Sequence, residues 1–389
     1  MFNVQLLCYP WDLEDEGIDD TLDSIQGQVG VDGVTIVAAC EPIVQLRRRI
    51  ETGPRIFRSD GGCLFQPDES KYAATRCKPP VSSWVKTRNP LAKIAHACRQ
   101  RSLNFRARID TRRIGRLVSR CPATAVKSAF GDPSPSCASL TNPDFTEFLR
   151  DLISDLLQNY TPSFVELRGL DRPFDTDLFD SIPDAEWICP AARELFGMSF
   201  CESSMQSAHQ AGIDAEAARR SAQVTLSQVI RSGDAAEFML ENAIERDPIL
   251  RRYMEHQRTA HRSLIESLAA AAPGQLIMNV DQTHDSPRVI PTSAPAGVLI
   301  HTAGPIQPYG RTTLESLLGQ YRKNNTRCEM NISAGWHTST EESALVRNVK
   351  LLAEMDLDGV TFDHLGTMTD RDLNAAKQAL RFAKRSGPA

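Results

Sequence analysis

Long hydrophobic runs are missing from this sequence. No stretch of about 18 consecutive apolar residues occurs, so no membrane-spanning helix is expected. A basic excess is missing too: 44 Lys and Arg stand against 49 Asp and Glu, a formal net charge of −5. That balance argues against a dedicated nucleic-acid binder, which must neutralise phosphates. Ten cysteines are present, but no two form a close C-x-x-C and no four ligands are grouped, so a cysteine-built structural zinc site is not expected. They read as mostly free thiols of a reducing compartment. Met1-Phe2-Asn3-Val4-Gln5 lacks the basic start of a secretory signal and Asp12 brings acid early, so a cytoplasmic location is expected. A G-x-S-x-G elbow and a P-loop are also absent.

What remains is a chain of 389 residues, 41% of them hydrophobic, too apolar for intrinsic disorder and long enough for a large core. Short β-rich runs alternate with amphipathic helical stretches from end to end. Eight strands are expected: Asn3–Tyr9, Gly33–Cys40, Leu103–Asp110, Ser163–Arg168, Gln275–Val280, Gly297–His301, Arg327–Ser333 and Gly359–His364. Among the helices between them, one opens at Asn142-Pro143-Asp144, a cap followed by proline and acid in the first turn. Eight strand–helix units predict an α/β fold, a (β/α)₈ TIM barrel formed as one domain over residues 1–389. The alternative is a doubly wound open sheet. It normally places a glycine-rich turn after the first strand, whereas here Tyr9-Pro10-Trp11-Asp12 follows, with no glycine before Gly17. Two long insertions are expected, 41–100 after strand two and a helical 170–274 after strand four; the second holds helical sequence at Asp214–Arg231 and Ala235–Ala272.

Side-chain alternation along strands decides which residues enter the barrel. Val165 and Leu167 suit the helix-packed outer side, leaving Glu166 and Arg168 inward. The same reasoning turns Arg106, Arg108 and Asp110 inward on strand three, and Asn279 and Asp281 on strand five. It does the same for His301 on strand six, Glu329, Asn331 and Ser333 on strand seven, and Thr361 and Asp363 on strand eight. Glu41 is in phase with Thr35, and His364 should face away from Asp363 if the strand continues. So many buried charges persist only if they pair internally or meet a ligand. Barrel active sites gather at the strand C-termini.

Paired carboxylates there can hydrolyse a glycosidic bond. Glu166 is the expected acid/base, Asp281 the second carboxylate and Asp363 the reserve. Arg168 would hold a partner ionised. Substrate contacts are expected from Tyr9, Trp11 and Asp12 in the turn after strand one, from Glu41, Arg108, Asp110, Arg168 and His301, and from Trp336. No cofactor is required by this reading. A second reading gathers Glu166, Asp281, His301 and Asp363 around a divalent cation, as in a metal-dependent sugar isomerase or epimerase. A third is a non-catalytic carbohydrate-binding barrel. The partner in each case is a carbohydrate or sugar derivative.

Three segments carry a family resemblance. Gly62-Cys63-Leu64-Phe65-Gln66-Pro67-Asp68, with Tyr72, Thr75, Lys78 and Pro79, resembles the loop after strand two in glycosyl-hydrolase-like barrel proteins. Phe200-Cys201-Glu202-Ser203-Ser204, with Ala208 and Gly212-Ile213-Asp214, is similar to their C-x-C-x-x-C segment. Asp358–Gly366, with Leu373 and Ala379-Leu380, resembles their last strand and helix. The resemblance implies a (β/α)₈ barrel of the carbohydrate-active superfamily and names no substrate. Ser199 and Ser204 stand where that pattern often has cysteine, so no metal or disulfide carries over with it. Ser333-Ala334-Gly335 at the end of strand seven lacks the glutamate of the commonest retaining layout.

Overall fold

The computed structural model describes residues 2–50, 53–176, 188–232, 237–281, 296–301, 315–316, 318–319, 321–322, 326–333, 342–355 and 357–386. Eight parallel strands close on themselves: β1 (Asn3–Cys8), β2 (Gly33–Cys40), β3 (Asn104–Asp110), β4 (Phe164–Arg168), β5 (Leu276–Asp281), β6 (Gly297–His301), β7 (Arg327–Ser333) and β8 (Gly359–Asp363). Closure comes from β1, which pairs with both β2 and β8. The barrel is a (β/α)₈ barrel with helices packed outside it.

The outer face of each strand feeds one continuous apolar core with the surrounding helices. Val4, Leu6, Val34, Ile36, Phe105, Ala107, Val165, Leu167, Met278, Val298, Met330, Val360 and Phe362 all belong to it. Their alternating partners turn inward, as period-2 geometry requires. The helices begin where short polar residues accept the backbone N–H groups that no helical carbonyl can reach. Asn89 precedes Pro90–Gln100, Asn142 accepts from Phe145 N–H at 3.1 Å before Pro143–Tyr160, and Asp247 accepts from Ile249 and Leu250 before Pro248–Ala271. Proline in the first turn of each loses no bond, because its N–H would be unpaired there. Asp247-Pro248 also corrects the reading of Ala235–Ala272 as one helical stretch: Glu237–Arg246 ends and a new helix starts at Pro248.

A register shift between Val37 and Ala39 interrupts the alternation of β2. Ala38 and Ala39 both join the outer core, and Cys40 packs with Leu7, Val37 and Trp11. The phase that linked Glu41 to Thr35 is therefore broken, and Glu41 lies half-buried beyond the strand end. After β2 the chain forms a two-stranded ribbon, Ile43–Leu46 with Ile56–Ser59, which strand patterning did not reveal. Its inner face covers Trp11, and Leu64, Val85 and Trp84 complete an apolar plug on the β1–β2 side of the mouth. Gly62 and Gly115 sit where the segments after β2 and β3 touch. Both have positive φ, +93° and +47°, and a Cβ on Gly115 would stand 2.5 Å from the Gly62 nitrogen. Between β4 and β5, helices Pro190–Gly197, Glu202–Gln210, Ala215–Ser232 and Pro248–Ala271 enclose a second apolar core around Leu195, Phe200, Leu226 and Tyr253.

Candidate active site

The lumen is built on charge pairs. Near the strand N-termini the Arg106 guanidinium grips Glu329 with two bonds, at 2.6 and 2.9 Å, and Arg327 approaches the same carboxylate. Arg106 and Glu166 stand 3.6 Å apart, and Arg106 also donates to Asn3. Burial opposes the charge on Glu329, but the two arginines outweigh it and hold the carboxyl below its ordinary range. One layer higher, Arg108 Nε–H donates to Glu166 Oε2 at 2.9 Å and Thr35 Oγ1–H to Oε1 at 3.0 Å.

Glu166 has no exposed surface and both its oxygens are taken. An acid or base must turn an oxygen toward its substrate. In this placement Glu166 anchors Arg108 and Thr35. Inwardness was read correctly, but depth was not: Glu166 lies below the mouth, two residues before the strand end.

The mouth itself carries Asp363, the last residue of β8, with its side chain 23% exposed. His301, at the end of β6, places Nε2 3.4 Å from Asp363 Oδ2, and Asn331 Nδ2–H donates to the same oxygen at 3.3 Å. Desolvation raises the Asp363 pKa, yet the His301 bond and the charges of His364 and Arg108 outweigh it, so the carboxyl stays well below the usual range. Asp363 is therefore an ionised group at neutral pH, fit for a nucleophile or base rather than a proton donor. Beside it, Asp110 and Arg168 pair at 3.5 Å, with the Arg168 side chain 58% exposed.

The lumen around these groups carries further polar side chains, Asn331 and Thr361 in register with His301. Arg108 Nη2, Asn279 Oδ1, Asn331 Oδ1 and Thr361 Oγ1 are buried and have no hydrogen-bond partner among the described residues. Buried polar groups normally have partners, so four orphans on inward positions of β3, β5, β7 and β8 mark a lumen suited to hydroxyl groups or water. Asn279, Asn331 and Thr361 were not expected as site residues. Their inward phase was the available signal.

His364 was expected to face away from Asp363 if the strand continued, and the strand does not continue. β8 stops at Asp363, Leu365–Thr367 form a 3₁₀ turn, and the His364 ring meets the Tyr9 ring edge-on at 5.3 Å. Tyr9 has its other contact with Trp11, stacked at 4.7 Å. Trp11 is fully buried, with Nε1–H donating to Gln45 Oε1 at 2.6 Å, so the expected sugar-stacking face is closed. Asp12 is likewise consumed: it accepts Tyr9 N–H at 2.9 Å and the Gln45 amide at 2.9 Å, and burial pushes its carboxyl up. Trp336 lies outside the described residues. Asp281 ends β5 in register with His301, which brings its backbone to the mouth; its side chain is outside the described residues. Among the described residues no three His, Cys, Asp or Glu side chains gather as a metal site, and Glu166 is held away by its arginines.

No family model and no curated protein sequence matches the chain. Solved structures share its fold. The catalytic domain of β-amylase from Paenibacillus polymyxa superposes with a TM-score of 0.59 at 11% identity, over 100% of this chain and 99% of that one. The PgaB (BpsB) glycoside hydrolase domain from Bordetella bronchiseptica gives 0.55 at 12% identity, covering 100% of both. α-L-Fucosidase isoenzyme 2 from Paenibacillus thiaminolyticus gives 0.56 at 12% identity over 99% of this chain; the chain spans about half of that protein, 49%. At such identities the likeness is one of fold.

Proposed function

We propose that this chain is a glycoside hydrolase, or a closely related carbohydrate-active enzyme, whose ionised carboxylate is Asp363. The observation that carries this reading is Asp363 itself: a partly exposed carboxylate at a strand C-terminus, held charged against its burial by His301, His364 and Arg108, accepting from Asn331, in a lumen with orphaned amide, hydroxyl and guanidinium groups. Sugars present the hydroxyls that such a lumen binds. A carboxylate of depressed pKa serves as nucleophile, as base for water, or as stabiliser of an oxocarbenium-like transition state. Asp281, at the end of β5 in the same tier as His301, is the proposed second carboxylate. Arg168 and Asp110 flank the opening and would contact the sugar beyond the cleavage point. The glycoside hydrolases with the same fold support this reading at the level of architecture.

The test is hydrolysis of a panel of nitrophenyl glycosides and oligosaccharides. Asp363→Asn is expected to lower kcat/KM by about 10³-fold or more on any accepted substrate, with unchanged melting. Undiminished turnover in that variant would remove Asp363 from the mechanism. A second reading, carbohydrate binding without catalysis, is favoured by the sequestration of Glu166. It requires calorimetric binding of a sugar with no turnover.

A further inference from the structure

Two of the ten cysteines stand sulfur to sulfur. The Cys77 thiol donates to Cys121 Sγ at 3.2 Å, with both unbonded. No other two thiols are in hydrogen-bond contact among the described residues. Cys77 is buried in the main core, whereas Cys121 is partly exposed.

Both backbones are already fixed. Thr75 Oγ1–H donates to the Asp144 carbonyl at 2.6 Å and accepts Cys77 N–H at 3.0 Å, which ties the segment after β2 to the start of helix Pro143–Tyr160. Cys121 N–H closes the Leu117–Arg120 turn onto the Leu117 carbonyl at 2.8 Å, and its own carbonyl accepts Thr124 Oγ1–H at 2.7 Å. The two segments also meet at Gly62 and Gly115. A disulfide is roughly 2.05 Å long, so the two sulfurs, 3.2 Å apart, have little more than an ångström to close.

We propose that Cys77 and Cys121 are a modification site: they form an intrachain disulfide when the protein meets a low-molecular-weight disulfide such as oxidised glutathione. Cys121, the partly exposed residue of the two, attacks first as thiolate, forming a mixed disulfide and expelling one glutathione thiolate. Cys77 Sγ then attacks Cys121 Sγ and expels the second. The two protons of the protein thiols end on the two departing glutathiones, so one external disulfide is reduced as two protein thiols are oxidised. Burial and then the bond to Cys121 push the Cys77 thiol up to about 12, so Cys77 stays protonated through the first step and gives up its proton only as it attacks, the departing glutathione thiolate taking it. The clasp would join the segments after β2 and β3 that frame one side of the mouth, and it stands independently of the glycosidase reading.

The experiment treats the reduced full-length protein with oxidised glutathione, then counts thiols after denaturation and maps peptides by mass spectrometry. The thiol count should fall by two from ten, the mass should drop by two hydrogens, and the cross-linked peptides should carry Cys77 and Cys121. The oxidised protein should melt about 3–6 °C higher than the reduced one. Cys121→Ser should abolish the loss of thiols and the rise in melting temperature. A full thiol count, a stable glutathione adduct on Cys121, or a cross-link between other cysteines would overturn the proposal.

Discussion

At the scale of single residues, Glu166 decides how the lumen is understood. Its carboxylate neutralises Arg108 and contributes to balancing Arg106, with no water-exposed surface on which to spread the charge. Removing one member of such a cluster leaves the others charged and unmatched in a low-dielectric interior. Glu166→Gln keeps the shape and deletes the charge, so it should lower unfolding free energy by about 3 kcal/mol, read from urea denaturation. A loss below about 0.5 kcal/mol would mean that the arginines find other partners. Activity changes in this variant would pass through Arg108, whose charge helps keep Asp363 ionised.

At the scale of elements, three long helices begin in the same way, with Asn or Asp before Pro. The Pro143–Tyr160 helix gains most from its cap, because its buried face carries Phe145, Phe148, Leu149, Leu152 and Leu156. Asn142 also donates to the Ala123 carbonyl at 3.1 Å, tying the helix to the segment before it. Asn142→Ala should therefore cost about 1 kcal/mol in chemical denaturation, whereas Asn142→Asp, which keeps the accepting oxygen, should cost less. Equal losses would assign the effect to the Ala123 bond. The ribbon Ile43–Leu46 and Ile56–Ser59 shows how an element escapes pattern reading. Its Val44, Leu46 and Ile56 are exposed while Gln45 and Arg47 are buried, the reverse of the usual hydrophobic signal. The reversal has a cause: the buried polar groups serve Trp11, Asp12 and Asp15.

At the scale of the whole molecule, closure joins β1 to β8 and brings together charges far apart in the chain. Arg106 and Glu329 are 223 positions apart in sequence and share two hydrogen bonds. The Glu329 pKa is lowered on folding. Its contribution to stability is therefore complete above its unfolded pKa, about 4.3, and is lost as pH falls through the folded value. Unfolding free energy measured from pH 7 to pH 3 should fall in the wild type below about pH 4.3. In Glu329→Gln it should start lower at pH 7 and change less over that acid range. Parallel curves would show that the pair does not couple folding to protonation.

Periodicity located all eight strands to within a residue or so, because burial of one face against helices imposes alternation on them, broken in β2 by the shift between Val37 and Ala39. The same alternation sorted Arg106, Arg108, Glu166, Glu329, Asn331 and Asp363 to the inside. Depth along the barrel and the identity of the partner across it were not legible, since they depend on register between strands that the chain separates widely. So the order of residues determined a closed barrel with a charged interior. Only the assembled sheet decided that Glu166 is spent on arginines below the opening while Asp363 stands at the rim, because opposite charges settle with whichever neighbour closure brings within bonding distance.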